Sequence, residues 1–232
     1  MKYLVNSIIP DINFNETRTI YEGATFALKQ YGGDDFITFM QLFFSNYSRI
    51  HKPIGTLKDD LKFEAEQEEN FLLQPSSVCL VLERDGQAAM TQMVAKRDAR
   101  PIHTDTLFGL DYERFYNTEL AAGHTLYFFG KGSVDLSLFS ADERKTMIAE
   151  LQSMLYYMIF FIARKDNCQK VYSYINRLMA RSMQKQQISY QRITPYTVLR
   201  GIDYVGVSYT GADLDAIMDN CDFDVLLQRY FC

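Results

Sequence analysis

A long apolar helix in the second half of the chain is the sequence feature that most constrains the fold. It begins at a capping box, Ser140–Glu143 (SADE), in which the Ser hydroxyl and the Glu carboxylate reciprocally satisfy backbone amides. The apolar residues that follow, up to about Lys165, occupy nearly every face of the helix: Met147, Ile148, Leu151, Met154, Leu155, Tyr157, Met158, Ile159, Phe160, Phe161 and Ile162. Because a helix that is apolar all round has to be covered on all sides, the sequence predicts a central, buried helix.

A β-hairpin is the clearest local signal upstream of this helix. Two segments with strand composition, Ser77–Arg84 and Gln87–Arg97, flank Asp85-Gly86, a pair favoured in tight hairpin turns. Strand and helix signals elsewhere predict a mixture of both elements. In chain order, we expect a strand at Thr17–Tyr31, helices at Asp35–Ile50 and Thr56–Leu73, the hairpin, a long loop at Pro101–Gly123 with a short helix at Tyr112–Thr118, a strand at Thr125–Val134, the buried helix, a strand at Lys170–Ile175, a helix at Arg177–Gln187, strands at Tyr190–Thr194 and Tyr204–Tyr209, and a helical stretch from Ala212.

The composition is that of a globular protein, and it excludes some functions. The chain has 232 residues without internal repeats or a low-complexity linker, which predicts a single domain over residues 1–232. With 24 Lys and Arg against 29 Asp and Glu, the net charge of −5 argues against nucleic-acid binding. The 16 Tyr and 17 Phe indicate a thick core or an apolar ligand tunnel, and they leave homodimerisation open.

The cysteines and the apolar runs indicate the compartment. Cys79, Cys168, Cys221 and Cys232 are scattered, without a CxxC pair or a histidine at ligand spacing. This pattern predicts a reducing compartment, no disulfide framework and no metal site. The N-terminal apolar stretches are too short for a signal peptide, and the longest apolar run, Met154–Ala163, falls well below the ~20 residues that span a bilayer. We therefore expect a cytoplasmic protein without a membrane span.

Two glycines in the strand Thr125–Val134 mark a candidate site at Gly130-Lys131-Gly132. Glycines inside a strand are typical of a bulge or of a close backbone approach. A bulge would free backbone amides to polarise a thioester carbonyl, which is the stabilisation that acyl transfer needs. A plain strand end or turn is the alternative.

The order of elements resembles the GNAT acyltransferase superfamily, over roughly residues 17–211. Leu126–Val134 followed by a capped helix is similar to the donor-binding strand and helix of that family, and Asn176 is similar to the Asn that opens its next helix. The resemblance implies an α/β fold, with a mixed sheet flanked by helices and a central strand that splays to admit an acyl thioester. It also implies that the donor site consists of Phe129, Gly130, Lys131, Gly132, Ser133 and Asn176.

The segment Asp135–Ser140 (DLSLFS) departs from the acetyl-CoA-using members, whose glycine-rich loop at this place cradles a pyrophosphate. The chain is here more similar to the acyl-homoserine-lactone synthases and the N-acyl amino acid synthases, which lack that loop and take a long acyl chain from acyl carrier protein. Phe128 and Lys131 stand where the autoinducer synthases have Glu-x-x-Arg, so the carboxylate is absent and a cation remains. The implied donor is an acyl group on acyl-carrier-protein phosphopantetheine or on CoA, with no metal.

An amine nucleophile must lose a proton, so a base is expected within hydrogen-bond reach of it. Three residues near the candidate site are of a suitable type: Glu83 on the hairpin, His124 before the glycine-containing strand and Asp135 after it. Each also fits an ordinary surface or turn residue. His51 and His103 lie near prolines and are assigned no role. The sequence has no Gly-x-Ser-x-Gly motif, so covalent catalysis is unsupported.

Each of two charged segments fits either a binding surface for a partner or a solvent-exposed helix face. Arg177, Arg181, Gln184 and Lys185 share one helix face, which suits the docking of an acidic carrier protein and equally suits a solvated face. The acidic run Glu64–Glu69 is typical of a solvated helix face, and a cationic acceptor or a metal is the alternative.

These observations favour one function over two alternatives. The favoured function is an N-acyltransferase that moves a long acyl group from a thioester to a small-molecule amine or amino acid, by direct attack of the neutral amine. The second is a catalytically inactive GNAT-like binding module for an acyl or other apolar ligand. The third is an unrelated α/β or α+β domain, which a sheet without a splay at Gly130–Gly132 would establish.

Overall fold

Strands and helices alternate along the chain in the computed structural model, which describes residues 16–50, 73–185, 188–199 and 201–231. In these residues the strands are β1 (Arg18–Glu22), β2 (Phe26–Tyr31), β3 (Ser77–Arg84), β4 (Gln87–Lys96), β5 (Leu126–Val134), β6 (Lys170–Asn176), β7 (Gln191–Leu199) and β8 (Ile202–Thr210). The α-helices are α1 (Phe36–Ile50), α2 (His103–Leu107), α3 (Tyr112–Ala121), α4 (Glu143–Lys165), α5 (Arg177–Lys185), α6 (Gly211–Asp219) and α7 (Phe223–Phe231). The predicted helix Thr56–Leu73, apart from its last residue, and the acidic run Glu64–Glu69 lie outside the described residues.

One eight-stranded sheet, in the order β1-β2-β3-β4-β5-β6-β8-β7, organises these elements. Neighbouring strands are antiparallel except for the central pair β5 and β6, which run parallel. A parallel pair needs a crossover connection, and α4 is the long helix within it. The mixed sheet flanked by helices that the element order predicts is confirmed.

Helix α4 is the buried helix that the sequence predicts. Five of its side chains have 0% exposed surface: Leu151, Met154, Met158, Ile159 and Ala163. Tyr157, away from the sheet, stacks on Phe223 of α7 with ring centroids 4.8 Å apart, so a C-terminal helix covers the side that the sheet leaves open. α4 is also long and apolar enough to cross a membrane. This is weak evidence for a membrane span, because the core helix of a globular protein meets the same criteria of length and composition.

The sheet carries a core on each face, and β5 contributes to both. Successive residues of a strand point to opposite faces. Phe129 therefore packs in the core formed with α4, α6 and α7, whereas Phe128 packs in the core formed with α1 and α3. Any change in the path of β5 consequently affects both layers.

The prediction of a single strand over Thr17–Tyr31 is wrong, because two strands, β1 and β2, form a hairpin there. The chain reverses where the amide of Gly23 donates to the carbonyl of Phe26 at 2.9 Å. A Cβ on Gly23 would lie 2.6 Å from the Cα of Phe231, so this turn also accepts the C-terminal helix at close range. The residues on both sides of the turn have the composition of a strand. The sequence pattern therefore does not reveal where the chain turns.

The segment Pro101–Gly123 is more regular than predicted, because it holds both α2 and α3. Side chains define the two helix starts: the Asp105 carboxylate accepts the Ile102 amide at 3.0 Å, and the Asp111 carboxylate accepts the Arg114 amide at 3.2 Å. The late strands are longer than predicted. The C-terminal helical stretch divides into α6 and α7.

Candidate active site

The parallel strands β5 and β6 separate at one end, and the resulting gap defines the candidate site. Their register pairs only Leu126–Phe128 with Lys170–Tyr172. Beyond these residues β5 stays paired with β4, and β6 stays paired with β8 up to Asn176. The two strands therefore splay, as the resemblance implies. Within the described part of the chain, the facing edges from Phe129 and Ser173 onward have no strand partner.

A bulge in β5 borders the gap. Between the pairs Thr91–Ser133 and Met93–Gly130, β5 has one residue more than β4. Lys131, inside the bulge, has a φ of +53°, a left-handed conformation that costs about 1–2 kcal/mol for a residue with a side chain. The bulge expected from the two glycines is confirmed, and it stores local strain.

Side chains of β4 hold the bulge in place. The Gln92 side-chain amide donates to the carbonyl of Gly130 at 2.9 Å, and the Thr91 hydroxyl donates to the carbonyl of Lys131 at 2.9 Å. The hydroxyl groups of Thr91 and Ser133 lie 2.7 Å apart and share a further hydrogen bond. These hydrogen bonds offset the strain at Lys131 and fix the path of the backbone beside the gap.

Neighbouring side chains lie too close to both glycines for a Cβ to fit without a shift. A Cβ on Gly130 would lie 2.6 Å from Cε1 of Phe128 and closer still to Cζ of that ring. A Cβ on Gly132 would lie 2.6 Å from the side-chain oxygen of Gln92. The glycines thus allow an aromatic ring and a polar side chain to lie directly against the strand.

A cavity of about 680 Å³ occupies the gap. Its wall on the α4 face is mainly apolar and includes Phe129, Leu155, Tyr156, Met179, Met183 and Ile188. Its wall on the opposite face is aromatic and includes Phe43, Phe44, Phe108, Phe128 and Tyr174. Apart from Phe108, the residues named for the two walls belong to the cores on opposite faces of the sheet, so the cavity passes through the sheet between the splayed strands.

A buried hydrogen-bond network lies behind the cavity wall at Tyr174. The hydroxyl groups of Tyr172 and Tyr174 both donate to Oδ1 of Asp105, at 3.0 and 2.9 Å. Oδ2 of Asp105 accepts the Ile102 amide at 3.0 Å and lies 3.7 Å from Nη2 of Arg97. The Asp105 side chain is 0% exposed and the Arg97 side chain 1%, so these groups satisfy one another away from water.

Burial and charge act differently on the two ionisable groups of this network. Burial raises the pKa of Asp105 above its ordinary value, although the Ile102 amide, the Arg97 cation and the two tyrosine hydroxyls all act to lower it. Burial acts to lower the pKa of Arg97, but Tyr172, Tyr112 and Asp105 outweigh it, and the pKa rises. Arg97 therefore stays a cation, and the carboxylate is the group that gains or loses a proton more readily.

Solved acyl-transferring proteins share this architecture. The chain is similar to FeeM, an N-acyl amino acid synthase from uncultured soil microbes, with a TM-score of 0.55 at 10% identity over 90% of this chain and 99% of that one. It is also similar to a protein described as arylalkylamine N-acetyltransferase 7 from the yellow fever mosquito, with a TM-score of 0.50 at 10% identity over 80% and 87%. The chain has the GNAT fold. The AHL synthase LasI matches with a TM-score of 0.49 at 8% identity over 80% of this chain and 90% of that one. No protein-family model and no curated protein matches the sequence.

Within the GNAT fold, all the predicted donor-site residues line the cavity: Phe129, Gly130, Lys131, Gly132, Ser133 and Asn176. Nζ of Lys131 lies 5.8 Å from the ring centroid of Phe43, on the aromatic wall. Oδ1 of Asn176 accepts the Met179 amide at 2.8 Å and so caps α5, as the resemblance implies. The structure brings the set together, and its role in donor binding stays a prediction.

The three predicted proton acceptors are not among the described residues that line the cavity. Glu83 pairs with Lys29, with 2.7 Å between the charged atoms. His124 lies 2.6 Å from the carboxylate of Glu119, at the paired end of β5 and away from the gap. Asp135 is 2% exposed and caps the turn after β5 by accepting a backbone amide at 3.0 Å. Their catalytic role stays a prediction, to which the cavity geometry lends no support.

The segment before α4 lies where acetyl-CoA-using members have their pyrophosphate loop, and here its backbone amides are occupied. The amide groups that donate within the segment are those of Ser137, Leu138, Phe139, Ser140 and Glu143. The acceptors are side chains and carbonyls of the same segment. These five amides are therefore not available to a phosphate, which explains structurally what the missing glycines indicate.

The basic helix face that the sequence singles out is only partly a free surface. Arg177 lines the cavity and pairs with Asp203, with 3.3 Å between Nη1 and Oδ2. Arg181 and Gln184 are exposed on α5. Docking of a carrier protein on this face stays a prediction.

Sequence reasoning missed the network around Asp105. Tyr174 and Asp105 are 69 residues apart, and Asp105 lies in the segment predicted to be irregular. A signal was nevertheless present, because Tyr172 and Tyr174 are two residues apart on a predicted strand and so share a face. The sequence does not indicate which face of this strand lies toward the gap.

Proposed function

We propose that the protein is an N-acyltransferase that moves a long acyl group from a thioester to a small amine or amino acid. The observation that carries the proposal is the cavity that passes through the sheet between β5 and β6. A cavity with walls on both faces of the sheet would let an extended thioester and an amine approach from opposite sides and meet at the strand edge. Holding two reactants in line in this way removes much of the entropic cost of a bimolecular reaction.

The strand edge supplies groups suited to the thioester. From Phe129 onward β5 has no partner on its β6 side in the described part of the chain, and hydrogen bonds from Thr91 and Gln92 hold the bulge at Lys131 in place. Fixed backbone amides that point at a developing oxyanion stabilise it without reorganisation, which is the main electrostatic contribution to acyl transfer. The amine would attack the carbonyl carbon directly, and the thiolate would leave.

The apolar wall on the α4 face is the proposed place for the acyl chain. Met179, Met183, Leu155 and Ile188 line it together with Phe129. Methionine side chains adapt to ligands of irregular shape, and apolar surface favours a long chain over an acetyl group. The proposal therefore includes a preference for long acyl groups.

The donor that fits best is a carrier-borne acyl-phosphopantetheine, for which acyl-CoA is the alternative. The occupied amides at Ser137–Ser140 support this choice, since they leave the pyrophosphate of CoA without its usual partners at this place. The name of FeeM, an N-acyl amino acid synthase, supports an amino acid as the acceptor.

The test combines the purified full chain with acetyl, octanoyl and palmitoyl thioesters, each on CoA and on acyl carrier protein, and with a panel of amino acids and amines. We expect thiol release coupled to an amide detected by mass spectrometry, fastest with a long carrier-borne chain. If no donor and amine combination yields an amide above the rate without protein, the proposed function is wrong.

A pair of substitutions on α4 links activity to the cavity. Ala149 is exposed at the edge of the cavity, whereas Thr146, one turn earlier on α4, is exposed and not among the residues that line it. Ala149→Trp should lower kcat/KM for the donor by about tenfold or more, because the indole obstructs the entrance. Thr146→Trp is the matched control and should leave kcat/KM within about twofold of the unmodified protein.

A catalytically inactive binding module is the second candidate, and one observation favours it: none of Glu83, His124 and Asp135 lines the cavity. This candidate predicts that long acyl thioesters bind to the protein, measured by calorimetry, without any amide appearing on addition of amines. Turnover in the first experiment excludes it.

A further inference from the structure

One residue of the cavity wall, Tyr174, has a hydroxyl group that donates its proton to a buried carboxylate. Tyr174 lines the cavity, and its hydroxyl donates to Oδ1 of Asp105 at 2.9 Å. A phenol that donates its proton retains lone pairs that accept hydrogen bonds. The ring is held in place by stacking on Phe108, with centroids 4.6 Å apart and planes inclined by 22°.

The environment of Asp105 suits a proton acceptor, but its side chain does not line the cavity. It is wholly buried on α2, and it is not among the residues that line the cavity. Its other hydrogen bonds, from Tyr172 and the Ile102 amide, fix the carboxylate toward Tyr174. The link from Asp105 to a molecule in the cavity therefore runs through the hydroxyl of Tyr174.

We propose that Tyr174 is the catalytic residue that takes the proton of the attacking amine, and that Asp105 is a positioning residue that orients the phenol and receives its proton in turn. This inference rests on the proposed function. It supplies the proton acceptor that Glu83, His124 and Asp135 do not provide, since none of them lines the cavity.

The proposed step balances without a further reactant. The neutral amine nitrogen forms a bond to the thioester carbonyl carbon, and its proton moves to the oxygen of Tyr174 while the phenolic proton moves to Oδ1 of Asp105. The carbon–sulfur bond then breaks. The proton returns from Asp105 through Tyr174 to the departing thiolate, so that the products are the amide and the free thiol.

The charges around Asp105 suit this role. Arg97, which directly follows β4, faces the carboxylate at 3.7 Å, Tyr172 and Tyr174 face it from β6, and Tyr112 on α3 interacts with it electrostatically. Because burial raises the pKa of Asp105, its ionised form is a better proton acceptor than an exposed carboxylate. Arg97 keeps the pair neutral overall while Asp105 is ionised.

The experiment uses the full chain with the donor and amine that turn over fastest in the assay above. Tyr174→Phe keeps the ring and removes only the hydroxyl. We expect kcat to fall by about a hundredfold or more, with KM for either substrate changed by less than about threefold. The rising limb of kcat/KM with pH, which reports ionisation of Asp105, should disappear in this variant and also in Asp105→Asn.

Tyr127→Phe is the matched control. Tyr127 is also a buried tyrosine whose hydroxyl bonds a carboxylate, that of Asp166, but it lies at the paired end of β5. Its kcat and pH profile should match those of the unmodified protein. If Asp105→Asn does not fold, Tyr174→Phe alone decides, because Phe fills the same space.

The outcomes separate this inference from the function on which it rests. If the unmodified protein makes no amide, the proposed function is wrong and the inference is wrong with it. If the unmodified protein makes amide and Tyr174→Phe keeps kcat within about threefold with the same pH limb, the inference is wrong and the proposed function stands.

Discussion

Adding a single methyl group at Gly130 should disturb the site through one neighbouring ring. The φ of Gly130 is not in the left-handed region, so alanine adopts its backbone conformation without strain. The new Cβ would lie 2.6 Å from Cε1 of Phe128, whereas an ordinary contact needs 3.4–4 Å. The ring of Phe128 must therefore shift by about 1 Å, which disturbs its packing against Tyr172 and Tyr174, whose ring centroids lie 5.3 and 6.3 Å away.

The expected magnitude follows from two opposing effects. Overpacking in a core costs about 1–3 kcal/mol, and replacing Gly by Ala returns about 0.4–1 kcal/mol by restricting the unfolded chain. Gly130→Ala should thus destabilise by about 1–2 kcal/mol, or by about 2–8 °C in Tm at this chain length. Activity should fall further, by about a hundredfold, because displacements near 1 Å at a reaction site have such effects.

A double-mutant cycle identifies the cause. In the Phe128→Leu background the ring is absent, so Gly130→Ala should cost less by about 0.5 kcal/mol or more. Free energies of unfolding come from urea denaturation of the four variants, followed by circular dichroism. Equal costs of Gly130→Ala in both backgrounds would refute the argument that the Phe128 ring transmits the change.

Two further predictions concern α4. Glu143 binds the Arg84 guanidinium and the Ser140 amide, which together lower the pKa of its carboxyl from 4.5 to about 2. Because the pKa of Glu143 is depressed in the folded state, its ionised form stabilises the fold. The Tm difference between the unmodified protein and Glu143→Gln should be full above about pH 4.5 and should shrink as the pH falls toward 2. A Tm difference that does not change with pH contradicts this prediction. Met158 is 0% exposed in the core, so Met158→Ala should lower the free energy of unfolding by about 3 kcal/mol. In a thermal scan this corresponds to a Tm lower by about 6–12 °C. The exposed Lys145→Ala serves as its control on the same helix, and equal Tm values for the two variants would contradict the assigned core position.

The sequence was informative wherever the signal is local. Asp85-Gly86 predicts the hairpin, Ser140 and Glu143 predict the start of α4, and the two glycines around Lys131 predict the bulge, because turn, cap and bulge each depend on a few adjacent residues. The turn at Gly23 was missed because its neighbours have strand composition and the reason for the glycine, the approach of α7, comes from the other end of the chain.

The proton acceptors show why long-range geometry was not predictable. Glu83, His124 and Asp135 were chosen for their position along the sequence, yet each bonds another group. Glu83 pairs with Lys29 on the neighbouring strand, whereas His124 and Asp135 bond the Glu119 carboxylate and the Ser137 amide, which are close in the chain. Asp105 and Tyr174 come together only because α2 packs on the face of β6 that looks onto the gap. No periodicity or spacing in the sequence contains that relation.

The short pairing between β5 and β6 has a mechanical consequence. Three residue pairs join these strands, from Leu126 with Lys170 to Phe128 with Tyr172, whereas β2 and β3 are joined by six. The eight strands thus form two smaller sheets, β1 to β5 and β6 to β8, which share a narrow seam. Subglobal opening follows the region with the fewest hydrogen bonds, so amide exchange in the empty protein should be faster along this seam than within either half. A molecule in the cavity that touches both strands would join the halves into one cooperative unit.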